Sequence, residues 1–448
     1  TVQLASGFWE IDAERAGPTT PAPSVGQHTE QVFASLGEPR PAPDAPLEPA
    51  PPLADLQVMD FGHGGVGVET GRMFAEYGAD VVKIESRAYP DFIRVILGGE
   101  MSPSFASSSR SKRCFGVNAA TEKGVEVLRR MARTADVVIE NNSTGKMDSM
   151  GIGYPALSAE NPDIVMMSSQ LMGSRGLWAD WSGYGPNTQV TGGMTHLWSY
   201  EDAEEPPGSQ SIFPDHFAGR AGAVGALAAV LGRRRHGGGA HVEVCQVEQV
   251  VNVMGDLLAK ESVEPLSVQP RGNHSDRGTP WGLFPAAGDD QWVAICTRSD
   301  EEWAALAGLV GAPDDADLAT LDGRRAREAE LDALVGAWTA GLDPTEVTDR
   351  CLAVGVPAGP MLNSSGMLAD PHYEARGFLV ALHQPPIGGM TFEGAAFHTT
   401  GMIGPDIRPA PGLGEHTRDV AAEIGLTADE IEALIAEGVL ETDPPFAP

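Results

Sequence analysis

From Leu53 onward, the sequence alternates short apolar segments with longer segments whose apolar residues recur at helical spacing. Strands that alternate with helices in this way form mainly parallel sheets with helices on both faces. The pattern therefore predicts an α/β fold with a Rossmann-like, doubly wound large domain. The predicted strands of this domain are Leu56–Phe61, Ala79–Glu85, Asp136–Asn142 and Asp163–Gln170.

Changes in composition and periodicity divide the chain into four parts. Residues 37–52 are rich in proline, which is typical of a semi-rigid linker. Beyond the large domain, a strand and helices between residues 291 and 341 predict a small α+β domain, in which residues 323–341 form one amphipathic helix. The predicted parts are a tail and linker (1–52), the large domain (53–265), the small domain (275–360) and a return segment that completes the large domain (375–448).

Two distant segments of the chain have similar sequences. Residues 21–32 read PAPSVGQHTEQV and residues 409–420 read PAPGLGEHTRDV. They share Pro, Ala, Pro, Gly, His, Thr and Val at equal positions, which is the mark of an internal repeat. The simplest interpretation is that residues 1–36 are the tail of a preceding homologous copy, and chance is the alternative.

The chain is strongly acidic, with a formal net charge of −32 and an isoelectric point of about 4.6. Such a protein does not attract nucleic acid or anionic membranes, so an anionic ligand needs a local cluster of basic residues. The sequence has no apolar run of membrane-spanning length and no signal peptide. Its four cysteines form no CxxC motif, which favours free thiols over a metal site. These features predict a cytoplasmic protein without a metal.

A glycine-rich turn follows the first predicted strand. Gly62, Gly64 and Gly67 have the spacing of a dinucleotide-binding fingerprint, and Glu85 stands where the ribose-binding acid of such a fold would be. Glycines that only permit close packing of a strand and a helix produce the same pattern. From these residues alone, a nicotinamide enzyme and a structural turn are both open.

Two further segments are candidates for binding an anionic group. The serine-rich loop around Arg110, Lys112 and Arg113 is either a phosphate site or a solvated run of charge. The loop that contains Lys146 follows the strand Asp136–Asn142, and α/β proteins bind ligands at the carboxyl ends of their strands.

The segment 213–235 opens with Asp215, directly after a proline, and ends in three arginines. Its small apolar residues predict a buried helix that neighbouring elements approach closely. Backbone N–H groups at a helix start stabilise a carboxylate, so Asp215 is either a structural cap or a functional group. Upstream, residues 176–200 are rich in aromatic side chains, which indicates a packed cluster or an aromatic substrate surface.

Taken in order, a series of segments resembles the family III CoA-transferases, which include formyl-CoA transferase, crotonobetaine/carnitine CoA-transferase and α-methylacyl-CoA racemase. The resemblance covers about residues 53–440 and implies that the glycine turn approaches coenzyme A rather than NAD. The segments are LQVMDF with EYGADVVKIE, SKRCFGVN, VVIENNSTGKMDSMGIGY, PDHFAG, GVPAGPMLN, ADPHYEARGF and PAPGLGEHT.

The resemblance implies an enzyme that moves CoA from an acyl-CoA to a carboxylic acid. Asp215 would be the nucleophile, forming first an aspartyl anhydride and then an aspartyl-CoA thioester. The implied CoA-binding residues are His63, Gly64, Gly65, Val66, Arg87, Lys112, Arg113, Asn141, Asn142 and Lys146. The predicted substrate pocket contains Tyr184, Trp181, Trp198 and His216.

Several positions depart from the family pattern. Ser86 and Ser149 stand where arginine is usual, which weakens the prediction of CoA binding, and Gly185 stands where transferases often have an acid. Racemase members have a histidine at the position of Tyr184, so a racemase is a weaker alternative. A non-catalytic half that completes a partner domain is another. The resemblance implies an interlocked-ring homodimer, and the repeat suggests instead pairing with a fused homologous domain.

Overall fold

We analysed a computed structural model of the chain, which describes residues 2–37, 48–205, 208, 212–395 and 398–442. The chain forms two units, and the predicted small domain falls within the second. The first unit consists of Thr1–Met194, Ser209–Pro265 and Gly377–Pro448. The second unit consists of Thr195–Gly208 and Leu266–Arg376.

A nine-stranded sheet lies at the centre of the first unit. Its six middle strands are parallel, and short antiparallel strands occupy both edges. The predicted α/β class is thereby confirmed, and the predicted strands differ from the observed ones only at their ends. In spatial order the parallel strands are Arg113–Val117, Asp80–Glu85, Gln57–Phe61, Val137–Glu140, Val165–Gln170 and Ala240–Cys245.

The order of the strands reverses between Gln57–Phe61 and Val137–Glu140. From the first of these strands the chain extends the sheet to one side, and from the second it extends the sheet to the other. Loops that follow two such strands diverge and leave a crevice at the carboxyl ends. The glycine turn after Phe61 and the loop after Glu140 therefore meet at the place where an α/β sheet binds its ligand.

Alternate residues along the strands pack on opposite faces of the sheet and build two separate cores. Each face is covered by helices, as expected for a doubly wound sheet. One face carries Val66–Glu76 and Phe213–His236. The other carries Glu122–Ala132, Tyr154–Glu160, Thr417–Glu423 and Ala428–Ala436. Further elements of this unit are Phe92–Val95, Pro103–Ser108, Lys146–Ser149, Gly185–Thr191, Gln246–Val253, Gly255–Val263 and the hairpin Leu379–Gln384 with Gly388–Glu393.

The long helix Phe213–His236 approaches its neighbours closely because glycines line its packed side. A Cβ at Gly219 would lie 2.7 Å from the carbonyl oxygen of Val66, and the Thr70 hydroxyl donates to the Gly219 carbonyl at 2.7 Å. This contact places the first turn of the helix beside the glycine turn. No helix in the described residues is long and apolar enough to cross a membrane.

The edges of the sheet are closed by segments near the two ends of the chain. Leu440–Glu441 pairs antiparallel with Arg113–Val117, and Glu10–Ile11 pairs antiparallel with Ala240–Cys245. The outermost strand is Glu14–Arg15. Residues 1–52 were predicted as tail and linker alone, so the pairing of Glu10–Ile11 with this domain is an addition that the sequence did not indicate.

The second unit is built on a three-stranded antiparallel sheet with its own core. The single helix predicted over 323–341 is wrong, because the structure has two helices there. The break arises where Arg324 turns inward and donates to the carbonyls of Thr279 and Leu318 at 2.8 and 3.1 Å. The elements are Trp281–Pro285, Trp292–Cys296, Asp300–Val310, Ala316–Ala319, Leu321–Arg325, Glu328–Thr339, Pro344–Ala353, Ala358–Pro360, Ser364–Ala369 and Pro371–Ala375.

Candidate active site

Asp215 lies in the first turn of the helix Phe213–His236, directly after Pro214. Proline suits this turn because it lacks the N–H that the first turn leaves unpaired. The Asp215 N–H donates to the carbonyl of Ile212 at 3.0 Å. Asp215 is therefore held in the first turn, near the positive end of the helix dipole.

Two glycines enclose the Asp215 side chain. A Cβ on Gly65 would lie 2.6 Å from Asp215 Cβ and 3.1 Å from its Cγ, and a Cβ on Gly185 would overlap Oδ2. Neither position can carry a side chain while the carboxylate stands where it does. Gly185, which the resemblance marked as a departure from the family pattern, thus provides the space that Asp215 occupies.

Burial raises the pKa of Asp215 to about 6, and the neighbouring His216 acts in the opposite direction. The carboxyl group is therefore mostly ionised at neutral pH although it is poorly solvated. A carboxylate is a weak nucleophile, and loss of solvation is one of the ways in which proteins make such groups reactive.

A buried ionic cluster supports the same helix turn. Glu69 accepts from Arg72 at 2.8 Å and from Arg220 at 3.0 Å, and His216 Nδ1 lies 3.4 Å from it. Burial alone would raise the pKa of Glu69, but the bond to His216 and the charge of Arg72 lower it well below its usual value. Arg72 also pairs with Glu393. Glu69 therefore stays ionised and restrains the imidazole beside Asp215.

The glycine turn is held by side chains from neighbouring strands and loops. The His63 N–H donates to Asn141 Oδ1 at 2.7 Å, and Asn141 Nδ2 donates back to the His63 carbonyl at 2.9 Å. The Gly64 N–H donates to Asp91 at 3.0 Å. Gly64 has a φ of +66°, and a Cβ there would meet the Phe92 ring at 2.7 Å. The turn is thus rigid and presents backbone to the crevice.

Two cavities open at this crevice. The larger, of about 730 Å³, contains Asp215, and the smaller, of about 320 Å³, lies beyond the glycine turn. His63 and Asn142 line both. The larger cavity also includes Gly64, Gly65, Glu69, Phe92, Asn141, Thr144, Gln170, Trp181, Tyr184, Gly185 and His216. The smaller cavity is mainly apolar and includes Phe61, Ile84, Ser86, Tyr89, Val117, Lys146 and Met150.

Most of the residues predicted to form the site come together around these cavities, and five do not line either of them. Val66 is buried in the helix behind the turn, and Arg87 bonds to Glu441 and Thr442 near the end of the chain. Trp198 belongs to the second unit. Lys112 and Arg113 form ion pairs with acidic residues of the fold.

Lys112 and Arg113 are engaged in ion pairs within the fold. The Lys112 ammonium is buried and donates to Asp60 at 2.7 Å and to the Val68 carbonyl at 2.8 Å. Arg113 binds Asp80 at 2.9 Å and Glu423 at 2.9 Å. In this arrangement the pair offers no charge to a phosphate in either cavity. Lys146 lines the smaller cavity, and the described part of the chain supplies its ammonium with no hydrogen bond or ion pair.

Glu140 and Gln170 were missed by the sequence analysis. Glu140 is buried behind the cavity wall, where it accepts from the Asn142 N–H at 2.8 Å and from Gln170 Nε2 at 2.9 Å. Burial raises the pKa of Glu140 to about 7, against the effect of hydrogen bonds from Ser168 and Asn142. Gln170 lines the larger cavity and accepts from Thr144 at 3.2 Å. Glu140 lies near the end of one predicted strand and Gln170 ends another, both at the ligand-binding edge, and that position is the signal that could have identified them.

A desolvated carboxylate in a crevice at the switch point of a parallel sheet defines an α/β enzyme. The model of CoA-transferase family III matches residues 53–417, and the chain belongs to this family of enzymes. The family match confirms the predicted family and enzyme class, and the fold class agrees with it. Enzymes of this family use acyl-CoA as a substrate.

Similar proteins agree with this assignment. A probable CoA-transferase of Mycobacterium tuberculosis is 35% identical over 98% of the chain, and the chain spans 56% of that relative's length. The succinyl-CoA–D-citramalate CoA-transferase of Chloroflexus aurantiacus is 28% identical over 88% of the chain and 99% of its own. A crystal structure of a CAIB/BAIF family protein from Brucella suis, 27% identical, has a TM-score of 0.75 over 84% of this chain and 100% of that one.

Proposed function

We propose that the chain transfers CoA from an acyl-CoA to a carboxylic acid, with Asp215 as the nucleophile. The observation that carries the proposal is the Asp215 carboxylate itself. It is buried enough to raise its pKa to about 6, it faces a cavity of about 730 Å³, and it is enclosed by Gly65 and Gly185. These features suit a group that must react with a bound thioester.

In the first half-reaction, an Asp215 oxygen attacks the thioester carbonyl of the donor. The C–S bond breaks, which releases CoA thiolate and leaves a mixed anhydride between Asp215 and the donor acyl group. The thiolate then attacks the Asp215 carbonyl of the anhydride. The donor leaves as a carboxylate, and Asp215 holds CoA as a thioester.

In the second half-reaction, the acceptor carboxylate attacks the aspartyl-CoA thioester and forms a second anhydride. The released CoA thiolate attacks the acceptor carbonyl of that anhydride, which yields the new acyl-CoA and restores the Asp215 carboxylate. No proton or electron is consumed, because carboxylates and thiolates exchange in both halves. Exclusion of water by the enclosed site would protect both intermediates from hydrolysis.

The two cavities, which share the lining residues His63 and Asn142, suggest how CoA would lie. The smaller, mainly apolar cavity with Lys146 at its rim suits the nucleotide end. The pantetheine arm would pass His63 and Asn142, which line both cavities, and reach Asp215 in the larger one. Ser86 and Ser149 leave this route poor in arginine, and Lys146 is the cation that remains at the small cavity.

Lys146→Ala is expected to weaken CoA binding about tenfold, which corresponds to one charge-assisted hydrogen bond. The maximal rate at saturating acyl-CoA should stay within about twofold of the parent, because Lys146 lines the smaller cavity only. Isothermal titration with CoA and steady-state kinetics measure the two quantities. The matched control is Lys123→Ala, which removes a cation paired with Glu437 on the surface. Equal affinity of both variants would place the nucleotide elsewhere.

We expect the transfer rate to depend on pH through Asp215. Its pKa is raised to about 6, so the reactive carboxylate form is lost as the pH falls below 6. The kcat/KM for acyl-CoA should therefore fall about tenfold per pH unit below that value and level off above it. A profile that stays flat down to pH 4.5, with the fold intact by circular dichroism, would contradict this assignment.

The other candidate functions have less support. A racemase needs two acid–base groups at the α-carbon, and the family's histidine is replaced by Tyr184, whose ring packs against Phe92. A non-catalytic half gives no reason for the perturbed pKa of Asp215. The interlocked homodimer and the cytoplasmic location implied by the sequence stay predictions.

Trapping the covalent intermediate tests the proposal. The protein is incubated with acetyl-CoA or succinyl-CoA, and its intact mass is measured before and after hydroxylamine treatment. A CoA or acyl adduct, converted to a hydroxamate that peptide mapping assigns to Asp215, is the expected result. Binding of CoA without an adduct across a broad acyl-CoA panel would favour the non-catalytic or racemase alternatives, and deuterium exchange at the α-carbon would distinguish these two.

A further inference from the structure

The described part of the chain leaves the helix Thr29–Ser35, near the start of the chain, uncovered. None of its residues is buried, and Phe33 is 69% exposed. Val25, just before the helix, and Leu36, just after it, are also exposed. These apolar side chains lie on and beside a short helix, and the described part of its own domain leaves them exposed.

The internal repeat allows this segment to be compared with residues 409–423, and the two have the same local structure. Gly26 and Gly414, at equal positions of the repeat, have φ values of +79° and +66°. The next helices are capped by His28 and His416, whose φ and ψ values are −114° and 13° in one and −109° and 15° in the other. Each helix then runs for seven residues. The two segments are thus the same turn and helix.

In the later repeat, at residues 409–423, this turn and helix are docked on the edge of the sheet. The His416 N–H donates to the Cys114 carbonyl at 3.0 Å, and the Cys114 N–H donates to His416 Nδ1 at 3.3 Å. The Thr417 hydroxyl accepts from the Gly116 N–H at 2.9 Å. Val420 is 1% exposed beneath the helix. The docking site is therefore the strand Arg113–Val117, which contains Cys114 and Gly116.

Three of the docked positions carry the same residue in both repeats. His28, Thr29 and Val32 are identical to the docked His416, Thr417 and Val420. The exposed positions of the docked copy have changed. Its exposed residues Glu415, Arg418 and Asp419 correspond to Gln27, Glu30 and Gln31. The first repeat therefore retains docking residues, and no described residue of its own domain buries them.

We propose that residues 21–35 dock on a second domain of the same family, at the strand equivalent to Arg113–Val117. This partner is a different homologous domain and not a second copy of this chain. The chain's own strand already carries residues 409–423. In addition, Phe33 corresponds to Ala421, which is fully buried, so a groove of this shape has no room for the phenylalanine ring.

The segment 21–35 would join the two domains, because the residues just before it are fixed on this one. Glu10–Ile11 pairs with Ala240–Cys245, and Gln249 Nε2 donates to the Phe8 carbonyl at 2.6 Å. Asn252 Nδ2 donates to the Gly7 carbonyl at 2.8 Å. The mycobacterial relative, of which the chain covers 56%, is long enough to contain such a partner domain. The proposal does not rest on the chemistry of Asp215.

A graft within the full chain tests whether the first copy can dock. Residues 21–32 replace residues 409–420, and a matched graft carries Val32→Asp. We expect the first graft to unfold cooperatively within about 5 °C of the parent. The Val32→Asp graft should unfold at least about 10 °C lower, because an unpaired carboxylate would be buried at the Val420 position. Equal unfolding temperatures of the two grafts, or failure of both to fold, would overturn the proposal.

A second measurement tests the choice of partner. Val32→Asp is introduced into the otherwise unchanged chain, and the mass in solution is measured by light scattering. We expect the same mass and the same unfolding temperature as the parent, since Val32 is exposed and its partner would be another domain. A mass lower than that of the parent would mean that a second copy of this chain receives the segment, which contradicts the proposal.

Discussion

Asp215→Ala is expected to lower CoA transfer by at least about a thousandfold while leaving the protein folded. Without the carboxylate, neither the anhydride nor the aspartyl-CoA thioester can form. Asp215→Asn should lose activity equally. Slow deamidation of that asparagine would restore the acid, and the Ala variant cannot undergo this reaction. Steady-state transfer between acyl-CoA and a panel of carboxylic acids measures the effect, and a rate close to that of the parent would exclude Asp215 as the nucleophile.

The stability of Asp215→Asn provides a separate readout. Burial raises the pKa of the Asp215 carboxyl to about 6, so the folded protein binds more protons than the unfolded chain between about pH 4 and 6. Stability therefore falls as the pH rises through this window, and the loss is complete above it. At pH 8 the Asn variant should be more stable by about 1–3 kcal/mol, and at pH 4 the difference should vanish. Denaturant unfolding at both values measures this, and a destabilised variant at pH 8 would show that the carboxylate stabilises the fold.

The parts of this fold that local sequence patterns determine could be predicted. Strand and helix periodicity depends on neighbouring residues, so the parallel strands and the helix that begins before Asp215 were found close to their observed ends. The carboxyl-edge rule placed the glycine turn and the Asn141 loop together without any distance information. The repeat could be found because identical residues are recognised without a structure. Which of those residues dock on the sheet could not be predicted.

The parts that depend on contacts between distant residues could not be predicted. Lys112 and Arg113 read as a basic cluster, but their partners are Asp60, Asp80 and Glu423, which lie far away in the sequence. The sequence alone suggested that Gly185 marks the loss of a supporting acid, because the residue that it contacts is also distant in the sequence. Its meaning depends on where the Asp215 carboxylate stands, and that depends on how the long helix packs against the glycine turn.

Gly185→Ala is expected to lower the rate of transfer about a hundredfold. The new Cβ would overlap Asp215 Oδ2, so the carboxylate must rotate or the loop must move, and a displacement of about 1 Å costs this much in a positioned reaction. The control is Gly232→Ala, on the helix that carries Asp215. A Cβ there meets nothing within 4 Å, so activity should be unchanged and stability equal or slightly higher.

A double-mutant cycle separates the proposed collision from a general intolerance of the loop. Once Asp215→Ala has removed the carboxylate, the Cβ at position 185 has space, so Gly185→Ala should cost little stability in that background. In the parent background it should cost about 1–3 kcal/mol, the usual effect of an overpacked site. The coupling energy between the two positions would then equal most of the single-variant cost. Equal costs in both backgrounds would mean that Gly185 is required for the loop rather than for the carboxylate, and the geometry around Asp215 would need another explanation.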